Sequence, residues 1–251
     1  MSGHSKWANI KRKKAKVDAV KGTVFSRLIK EVMAAAKQGG GNPDNNLRLR
    51  VAIAKAKENN VPQANIERAI RRATGQEAGV HYEEAVYEGY GPGGTALYMQ
   101  ILTDNRNRTA GEIRHLLSRH GGSLGESGCV AWMFEPRGQL TVARDAVPGL
   151  TEERVLDLAI EAGADDVRTE EDAYLVLTAP EALEGVRAAF EAARIPVAET
   201  EWVMWPKTTV TVEGEDARKL YTLLELLEDH DDVSRVFTNA DFGEDFEPEE
   251  G

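Results

Sequence analysis

The apolar residues in the first 75 positions recur at three- and four-residue spacings, which place them along one face of a helix. The first such run covers residues 20–36 and ends at residues 39–41, three glycines whose backbone entropy opposes a helix. A second helix is predicted to begin at residues 42–43, because Asn is a good N-cap and Pro suits a first helical turn, and to end at residues 59–62. A third helix is predicted over about residues 63–73. The start of the chain is therefore predicted to be a three-helix unit.

The second predicted helix carries apolar residues on two sides. One side consists of Leu49, Ala52, Ile53 and Ala56, and the other of Leu47, Val51 and Ala54. A helix that is apolar on two sides can bury each of them against a different neighbour. This pattern predicts that the second helix is the middle one of the three.

From residue 82 the hydrophobic period changes to two, which is typical of strands. Strands are predicted at residues 83–90, 95–103 and 129–134. The glycine-rich residues 91–94 join the first two strands in a tight turn. Thr109 and Glu112 are predicted to form a capping box at the start of a helix that reaches residue 119.

Residues 138–205 follow the β-α-β-β-α-β order of a ferredoxin-like unit, and residues 208–240 add a strand, a helix and a strand. The unit at residues 80–134 has one helix and would leave one sheet face bare, so we expect the later helix to cover it. The predicted fold is α+β, with a helical N-terminal domain and two α/β domains, the last ferredoxin-like and inserted into the second. The predicted boundaries are residues 1–78, 79–135 plus 206–240, and 136–205, followed by an acidic tail at 241–251 that we expect to be disordered.

Charge divides the chain into two parts of opposite sign. Residues 1–74, the basic head, hold 17 Lys and Arg against 5 Asp and Glu, a net charge of +12. Residues 75–251, the acidic body, hold 14 against 37, a net charge of −23. Such asymmetry favours a polyanionic partner, most often nucleic acid. The alternative is that the basic head docks on its own acidic body.

The residues predicted to contact nucleic acid all come from the basic head. They combine the cations of an N-terminal arm, with a tryptophan among them, and the cations of the three helices. The set is Lys6, Trp7, Lys11, Arg12, Lys13, Lys14, Arg27, Lys30, Arg48, Arg50, Lys55, Lys57, Arg68 and Arg72. Lysine and arginine side chains neutralise phosphates, and an aromatic ring can stack on an unpaired base.

The sequence offers little that points to catalysis. Gly89-x-Gly91-x-x-Gly94 matches the dinucleotide fingerprint, but Pro92 inside it and a strand after it replace the helix that this motif must open. The five histidines lack a metal-ligand spacing, and Cys129 is predicted to be a small buried residue rather than a nucleophile. We therefore predict a protein that is not an enzyme, with no catalytic residue, no metal site and no cofactor.

One polar cluster lies at a predicted helix N-terminus, where free backbone N–H groups and the helix dipole favour an anion. The candidate anion-binding residues are Asn105, Arg106, Asn107, Arg108 and Thr109. The alternative is helix capping and loop hydrogen bonding, which uses these same residue types. The sequence leaves both interpretations open.

The bulk composition indicates an ordinary globular protein, with 41% apolar and 29% charged residues. No run approaches the roughly 20 apolar residues that span a bilayer, and the start lacks the apolar core of a secretory signal. A single cysteine fits a reducing compartment. These features predict a cytoplasmic location and no membrane partner.

Several runs of residues occur in the order found in one known family. They are residues 3–11, 46–50, 55–57, 87–94, 103–109 and 121–125. On these runs the chain resembles the YebC-type family, which includes the mitochondrial translational activator of cytochrome c oxidase and bacterial PmpR-type regulators. The resemblance implies a three-domain fold, no enzymatic activity and a cytoplasmic regulator.

Members of that family are described in two ways, as DNA-binding transcriptional regulators and as ribosome-associated factors that assist translation through proline-rich stretches. We predict the first function for this chain and keep the second as the alternative. The second and third helices are joined by a short turn, as in a helix-turn-helix, but no residue marks the third helix as a reader of bases. The acidic domains would face a protein partner, such as one on the ribosome, or solvent.

Overall fold

The computed structural model describes residues 21–75, 82–243 and 246–247. Within these ranges the basic head contains helices α1 (Lys21–Gly39), α2 (Leu47–Glu58) and α3 (Gln63–Ala73). The arm residues Lys6, Trp7, Lys11, Arg12, Lys13 and Lys14 lie outside the described residues. Their role therefore stays a prediction.

Helix α1, not α2, is the middle helix of the basic head. It packs along both α2 and α3, which meet each other at only a few residues. All residues from Val32 to Ala36 are buried, and the alanines among them let neighbours approach from more than one side. On α2, Leu47 and Val51 are 42% and 41% exposed. The prediction that the second helix is central is wrong, because its second apolar side faces solvent.

The N-cap of α2 is Asn46 rather than Asn42. Asn46 Oδ1 accepts the backbone N–H of Leu49 (3.0 Å), and its Nδ2 donates to the carbonyl oxygens of Ala35 and Gly40 (both 2.8 Å). The buried Asn46 amide therefore satisfies the end of α1 and the start of α2 together. Asn42 is exposed in the preceding turn and has no such position between the two helices.

The acidic body contains the remaining elements. Its strands are β1 (Glu83–Tyr90), β2 (Ala96–Thr103), β3 (Ser123–Leu124), β4 (Phe134–Ala143), β5 (Asp166–Thr169), β6 (Ala173–Thr178), β7 (Glu199–Pro206), β8 (Val210–Val212), β9 (Val233–Thr238) and β10 (Ala240–Phe242). Its helices are α4 (Arg106–Arg119), α5 (Glu152–Glu161), α6 (Leu183–Ala192) and α7 (Gly214–Asp229). Single 3₁₀ turns occur at Pro92–Gly94, Ala131–Met133 and Pro180–Ala182.

The first sheet of the body combines strands from two distant parts of the chain. Its order is β3-β1-β2-β9, and every neighbouring pair is antiparallel. Helices α4 and α7 pack on one face, where Leu97, Ile113 and Leu220 are fully buried. Helix α7 therefore covers the face that the sequence pattern would leave bare. Strands β8 and β10 form a separate parallel pair beside this core.

Between these two parts lies a second antiparallel sheet with the order β5-β6-β4-β7. Helices α5 and α6 cover one face of it, around the fully buried Leu140 and Phe190. This is the split β-α-β arrangement of a ferredoxin-like unit. The predicted fold class is confirmed, whereas the residue boundaries of the three domains stay a prediction.

Two elements of the body, the strand predicted from residue 129 and helix α4, do not begin at the predicted residues. Of the predicted strand at residues 129–134, only Phe134 is in a strand, because Cys129 lies in a turn that leads through a 3₁₀ turn to β4. Helix α4 begins at Arg106 with Asn105 as its N-cap, which accepts the backbone N–H of Arg108 (3.1 Å). Thr109 is therefore not the cap but a buried residue inside the first turn.

The acidic tail is not disordered where it begins. Strand β10 includes Asp241 and Phe242. Its first and last residues, Ala240 and Phe242, are buried, at 0% and 2% exposed. The prediction of disorder from residue 241 onward is wrong for Asp241 and Phe242, because alternate apolar residues of this strand enter the core beside α7. Among the residues that the structure describes, no helix has the length and apolar character needed to cross a bilayer.

Candidate nucleic-acid interface

The eight predicted cations of the head helices separate into two groups in the structure. Those on the outer surfaces of α2 and α3 are Arg50, Lys57, Arg68 and Arg72, all of them exposed. Those turned toward carboxylates of the acidic body are Arg27, Lys30, Arg48 and Lys55. Docking of the basic head on the acidic body, the alternative left open by the sequence, therefore accounts for half of the helical set.

Lys30 makes the most buried ion pair between the basic head and the acidic body. Its Nζ donates to Asp232 Oδ1 (2.8 Å) and to the carbonyl oxygen of Asp231 (2.7 Å), and lies 5.6 Å from the centre of the Tyr82 ring. The side chains of Lys30 and Asp232 are 13% and 5% exposed. Because water is largely excluded here, removing either partner would leave a poorly solvated charge.

Arg48 and Lys55 reach two other parts of the acidic body. Arg48 Nη2 lies 2.5 Å from Glu84 Oε1 in β1 and 3.0 Å from Glu31 Oε1 within the head. Lys55 Nζ lies 2.9 Å from Glu199 Oε1 in β7. Burial lowers the pKa of Arg48, but Glu84 and Glu31 together raise it more, so the pKa ends above its ordinary value. Both body carboxylates are at least 41% exposed, so each of these pairs contributes little on its own.

Arg27 lies against the acidic body without a hydrogen bond from two of its nitrogens. Its Nε and Nη2 atoms are buried and have no partner among the described residues. Burial lowers the pKa of Arg27 more than the nearby carboxylates of Glu228, Asp229 and Asp231 raise it, so the pKa is below its ordinary value. Arg27 is thus a poorly solvated cation at the end of α7.

The Asp232 carboxylate connects Lys30 of the head to the first turn of α4. Its Oδ2 accepts hydrogen bonds from Arg108 Nη2 (2.6 Å), Thr109 Oγ1 (2.8 Å) and Thr103 Oγ1 (3.2 Å). Burial raises the pKa of Asp232, but Lys30, Arg108 and Thr109 lower it further, so the pKa lies well below the ordinary range. Asp232 is therefore ionised at neutral pH and acts as the common acceptor of the head, β2 and α4.

The predicted anion-binding cluster thus holds an anion of the chain itself. Arg108 and Thr109 bind the Asp232 carboxylate, while Asn105 caps α4. Arg106 and Asn107 are exposed in the first turn of the helix. These contacts are the helix capping and loop hydrogen bonding of the alternative interpretation, and binding of an external anion stays a prediction.

Glu112, His230 and Asp232 are close enough to share a metal ion, but their surroundings do not suit one. Asp232 already faces two cationic side chains, which would repel a metal. His230 Nδ1 accepts the backbone N–H of Asp232 (3.1 Å), and its Nε2 lies 3.0 Å from Glu112 Oε2. The cluster is better described as part of the hydrogen-bond network around Asp232.

The sequence reasoning missed a buried carboxylate, Glu88, in the middle of β1. It accepts the backbone N–H groups of Gly128, Val130 and Ala131 at 2.6–2.8 Å. Burial raises the pKa of Glu88, but these three donors outweigh it and hold the pKa below its ordinary value. The turn held by these three bonds is the reason why residues 129–133 are not a strand. The available signal was an acidic residue inside an otherwise alternating strand.

Cys129, in the same turn, is only partly accessible. Burial and the negative charge of Glu88 raise the pKa of its thiol. A protonated thiol is a poor nucleophile at neutral pH. Tyr90 Oη and Trp132 Nε1 both donate to the backbone carbonyl of Cys129, at 3.2 and 3.1 Å, so this residue acts through its backbone.

Two protein-family models together match most of the chain. Residues 5–76 match the model of the TACO1/YebC protein N-terminal domain, and residues 82–240 match that of the TACO1/YebC second and third domain. The chain belongs to the TACO1/YebC family. The predicted family is therefore confirmed.

Individual relatives agree with this assignment along nearly their full length. A protein of Pelotomaculum thermopropionicum is 56% identical over 239 residues, which cover 95% of this chain and 98% of that one. A protein of Moorella thermoacetica is 56% identical over 243 residues, with 96% of each chain covered. Both are named probable transcriptional regulatory proteins. The crystal structure of a conserved hypothetical protein from Aquifex aeolicus matches with a TM-score of 0.84 and 44% identity, over 92% of this chain and 94% of that one.

Proposed function

We propose that this TACO1/YebC protein is a cytoplasmic regulator of gene expression that binds nucleic acid through its basic head and catalyses no reaction. The observation that carries the proposal is the net charge of +12 on residues 1–74 beside −23 on the rest of the chain. A polyphosphate backbone is attracted by the head and repelled by the body, so the charge distribution also orients the partner. DNA is the first candidate, because the relatives are named transcriptional regulators.

The exposed cations Arg50, Lys57 and Arg68 of α2 and α3 support this proposal, because within the described residues they make no ion pair with the body. Arg50 and Lys57 lie on the same side of α2, seven residues and therefore about 10 Å apart. Arg68 is exposed on α3, and it has no hydrogen bond or ion pair to another described residue that would compete with a phosphate. These three side chains offer phosphate-binding groups on the outer surfaces of α2 and α3, and the proposal adds the cations of the arm to them.

The absence of catalysis is supported by the state of the reactive side chains in the described part of the chain. The Cys129 thiol has a raised pKa, and the Asp232 carboxylate is fully engaged by Lys30, Arg108 and two threonines. His230 uses both ring nitrogens in hydrogen bonds. None of these groups is poised to transfer a proton to a ligand.

A direct test reverses the charge of the arm at Lys11, Arg12, Lys13 and Lys14 in the full-length protein. We expect the variant to lose binding of a fluorescent duplex DNA while its circular dichroism stays unchanged. The matched control reverses four exposed cations of the body, Arg154, Arg194, Lys207 and Arg218, and should bind no more weakly than about twofold. Unchanged affinity in the arm variant would refute the role assigned to the arm.

The second candidate function is a translation factor that binds ribosomal RNA. Trp7 within the cationic arm favours it, because an aromatic side chain stacks on unpaired bases but has no equivalent contact with a closed duplex. Co-sedimentation with the organism's own ribosomes in the presence of excess duplex DNA separates the two candidates. Retention on ribosomes supports the translation factor, and release by the DNA supports the transcriptional regulator.

A further inference from the structure

The basic head and the acidic body have separate apolar cores. Within the described residues, the buried cluster of the head draws its members from residues 28–69, and Tyr82 is the one body residue packed against it. The clusters of the body contain no head residue. Contact between the two parts therefore depends mainly on polar groups, and polar interfaces within a chain separate more readily than apolar ones.

Among the described residues, these polar groups of the head are Lys37, whose Nζ donates to the backbone carbonyl of Tyr82 (3.1 Å), and four cations that the sequence predicts for nucleic acid. Lys30, Arg48 and Lys55 donate to Asp232, Glu84 and Glu199, which come from three different strands or strand ends of the body. Arg27 faces the end of α7 without a hydrogen bond for two of its nitrogens. The face of the head that meets the body is thus a basic face, occupied by carboxylates.

We propose that this docked face is a second polyphosphate-binding surface and that the carboxylates of the body compete with nucleic acid for it. The inference rests on the proposed function, since it assumes a nucleic-acid partner. A nucleic-acid backbone bound to Lys30, Arg48 and Lys55 would prevent the head from docking on the body. Docking would in turn prevent that binding. The acidic body is then an internal inhibitor that limits the affinity of the basic head.

The body can release the head without leaving its own carboxylates unsatisfied. Asp232 keeps Arg108, Thr109 and Thr103 as donors when Lys30 leaves. The side chains of Glu84 and Glu199 are 48% and 41% exposed, so water can solvate them at once.

Undocking of the head also improves the solvation of the Arg27 guanidinium. Its two buried nitrogens, which have no hydrogen-bond partner among the described residues, would gain water or a phosphate oxygen. A phosphate contact by each released cation also frees condensed counterions, which favours the exchange at low salt. Undocking therefore costs the body little and offers the head new partners.

The test removes two competing carboxylates without changing any cation. We expect Glu84→Gln combined with Glu199→Gln in the full chain to bind a fluorescent duplex DNA or single-stranded RNA about fivefold more tightly than the wild type, because two exposed ion pairs no longer oppose binding. The matched control is Glu153→Gln with Asp157→Asn on α5, which removes the same charge from a helix on the far side of the ferredoxin-like sheet. This control measures how much affinity rises merely because the acidic body repels the phosphates of nucleic acid less. It should change affinity by less than about twofold.

A second readout follows docking itself. Dyes are placed at Ala64→Cys in the head and Ala188→Cys in the body, both exposed, in a chain that carries Cys129→Ser. Energy transfer should fall when nucleic acid is added, and should start lower in the Glu84→Gln, Glu199→Gln variant. Equal affinities of this variant and its control, with constant energy transfer, would overturn the inference alone. A wild-type chain that binds neither nucleic acid would overturn the proposed function and the inference together.

Discussion

Asp232 is the side chain on which the contact between head and body depends most, and we expect Asp232→Asn to destabilise the protein by about 3 kcal/mol. The charge-assisted bonds from Lys30 (2.8 Å) and Arg108 (2.6 Å) would become bonds to a neutral amide. Charge-assisted bonds contribute about 1.5–3 kcal/mol and neutral ones about 0.5–1.5 kcal/mol, so two bonds lose about 2–3 kcal/mol. One oxygen also becomes an NH₂ group, which places a donor against the donor of Lys30 or Arg108.

Urea unfolding at pH 7, followed by circular dichroism, measures this loss. Asp145→Asn is the matched control, because Asp145 is exposed and its carboxylate makes no hydrogen bond or ion pair with another described residue. The control should change the free energy of unfolding by less than about 0.5 kcal/mol. A loss below about 1 kcal/mol for Asp232→Asn, or equal losses for the two variants, would refute the reasoning.

The difference in the free energy of unfolding between the wild type and Asp232→Asn should depend on pH, and the lowered pKa of Asp232 fixes the direction of that dependence. The pKa of Asp232 is lower in the folded protein than the value of about 3.9 expected for an unfolded chain. The carboxylate therefore contributes its stabilisation above about pH 4, and this contribution is lost as the pH falls toward the folded pKa. The stability difference between wild type and Asp232→Asn should be complete at pH 7 and should shrink below pH 4. A difference that stays constant down to about pH 2 would contradict this assignment.

Three further outcomes follow from single side chains. Asn46→Ala should lower the free energy of unfolding by about 2 kcal/mol, because α2 loses its cap and two carbonyls lose a donor. The control Asn45→Ala, at an exposed position, should be nearly neutral in the same urea assay. Glu88→Gln should cost about 2 kcal/mol and free the turn at 128–131 for amide exchange, while Glu126→Gln should do neither. Trp7→Ala should weaken binding of single-stranded RNA by about 1–3 kcal/mol and leave duplex binding unchanged, and equal effects on both would argue against stacking.

The secondary structure was most predictable where periodicity and turn residues agree. Strand β1 over Glu83–Tyr90 and helix α3 over Gln63–Ala73 follow the predicted spans, because a clear period ends at a glycine or follows a proline in each case. The starts of α2 and α4 were misplaced, since Asn42 and Thr109 are good caps by composition. The observed caps, Asn46 and Asn105, are fixed by tertiary contacts or by the loop before the helix.

The partition of the head cations could not be predicted from the sequence. Arg48 and Arg50 are two residues apart on one helix, yet Arg48 reaches Glu84 of the body while Arg50 donates to the carbonyls of its own loop. Lys30 and Asp232 are 202 positions apart. A helical pattern shows which side of a helix is polar, but a polar side facing solvent and one facing a distant acidic surface look alike. The overall charge asymmetry was the one signal available for docking.

The central claim is that the basic head binds a nucleic-acid backbone, and the salt dependence of binding tests it most directly. The association constant of the full-length protein for duplex DNA and for single-stranded RNA would be measured between about 50 and 200 mM salt. We expect a log–log slope of about −3.6 or steeper on DNA, which corresponds to about four neutralised phosphates. A slope near zero on both nucleic acids would mean that phosphates are not the ligand of the head, and would contradict the proposed function.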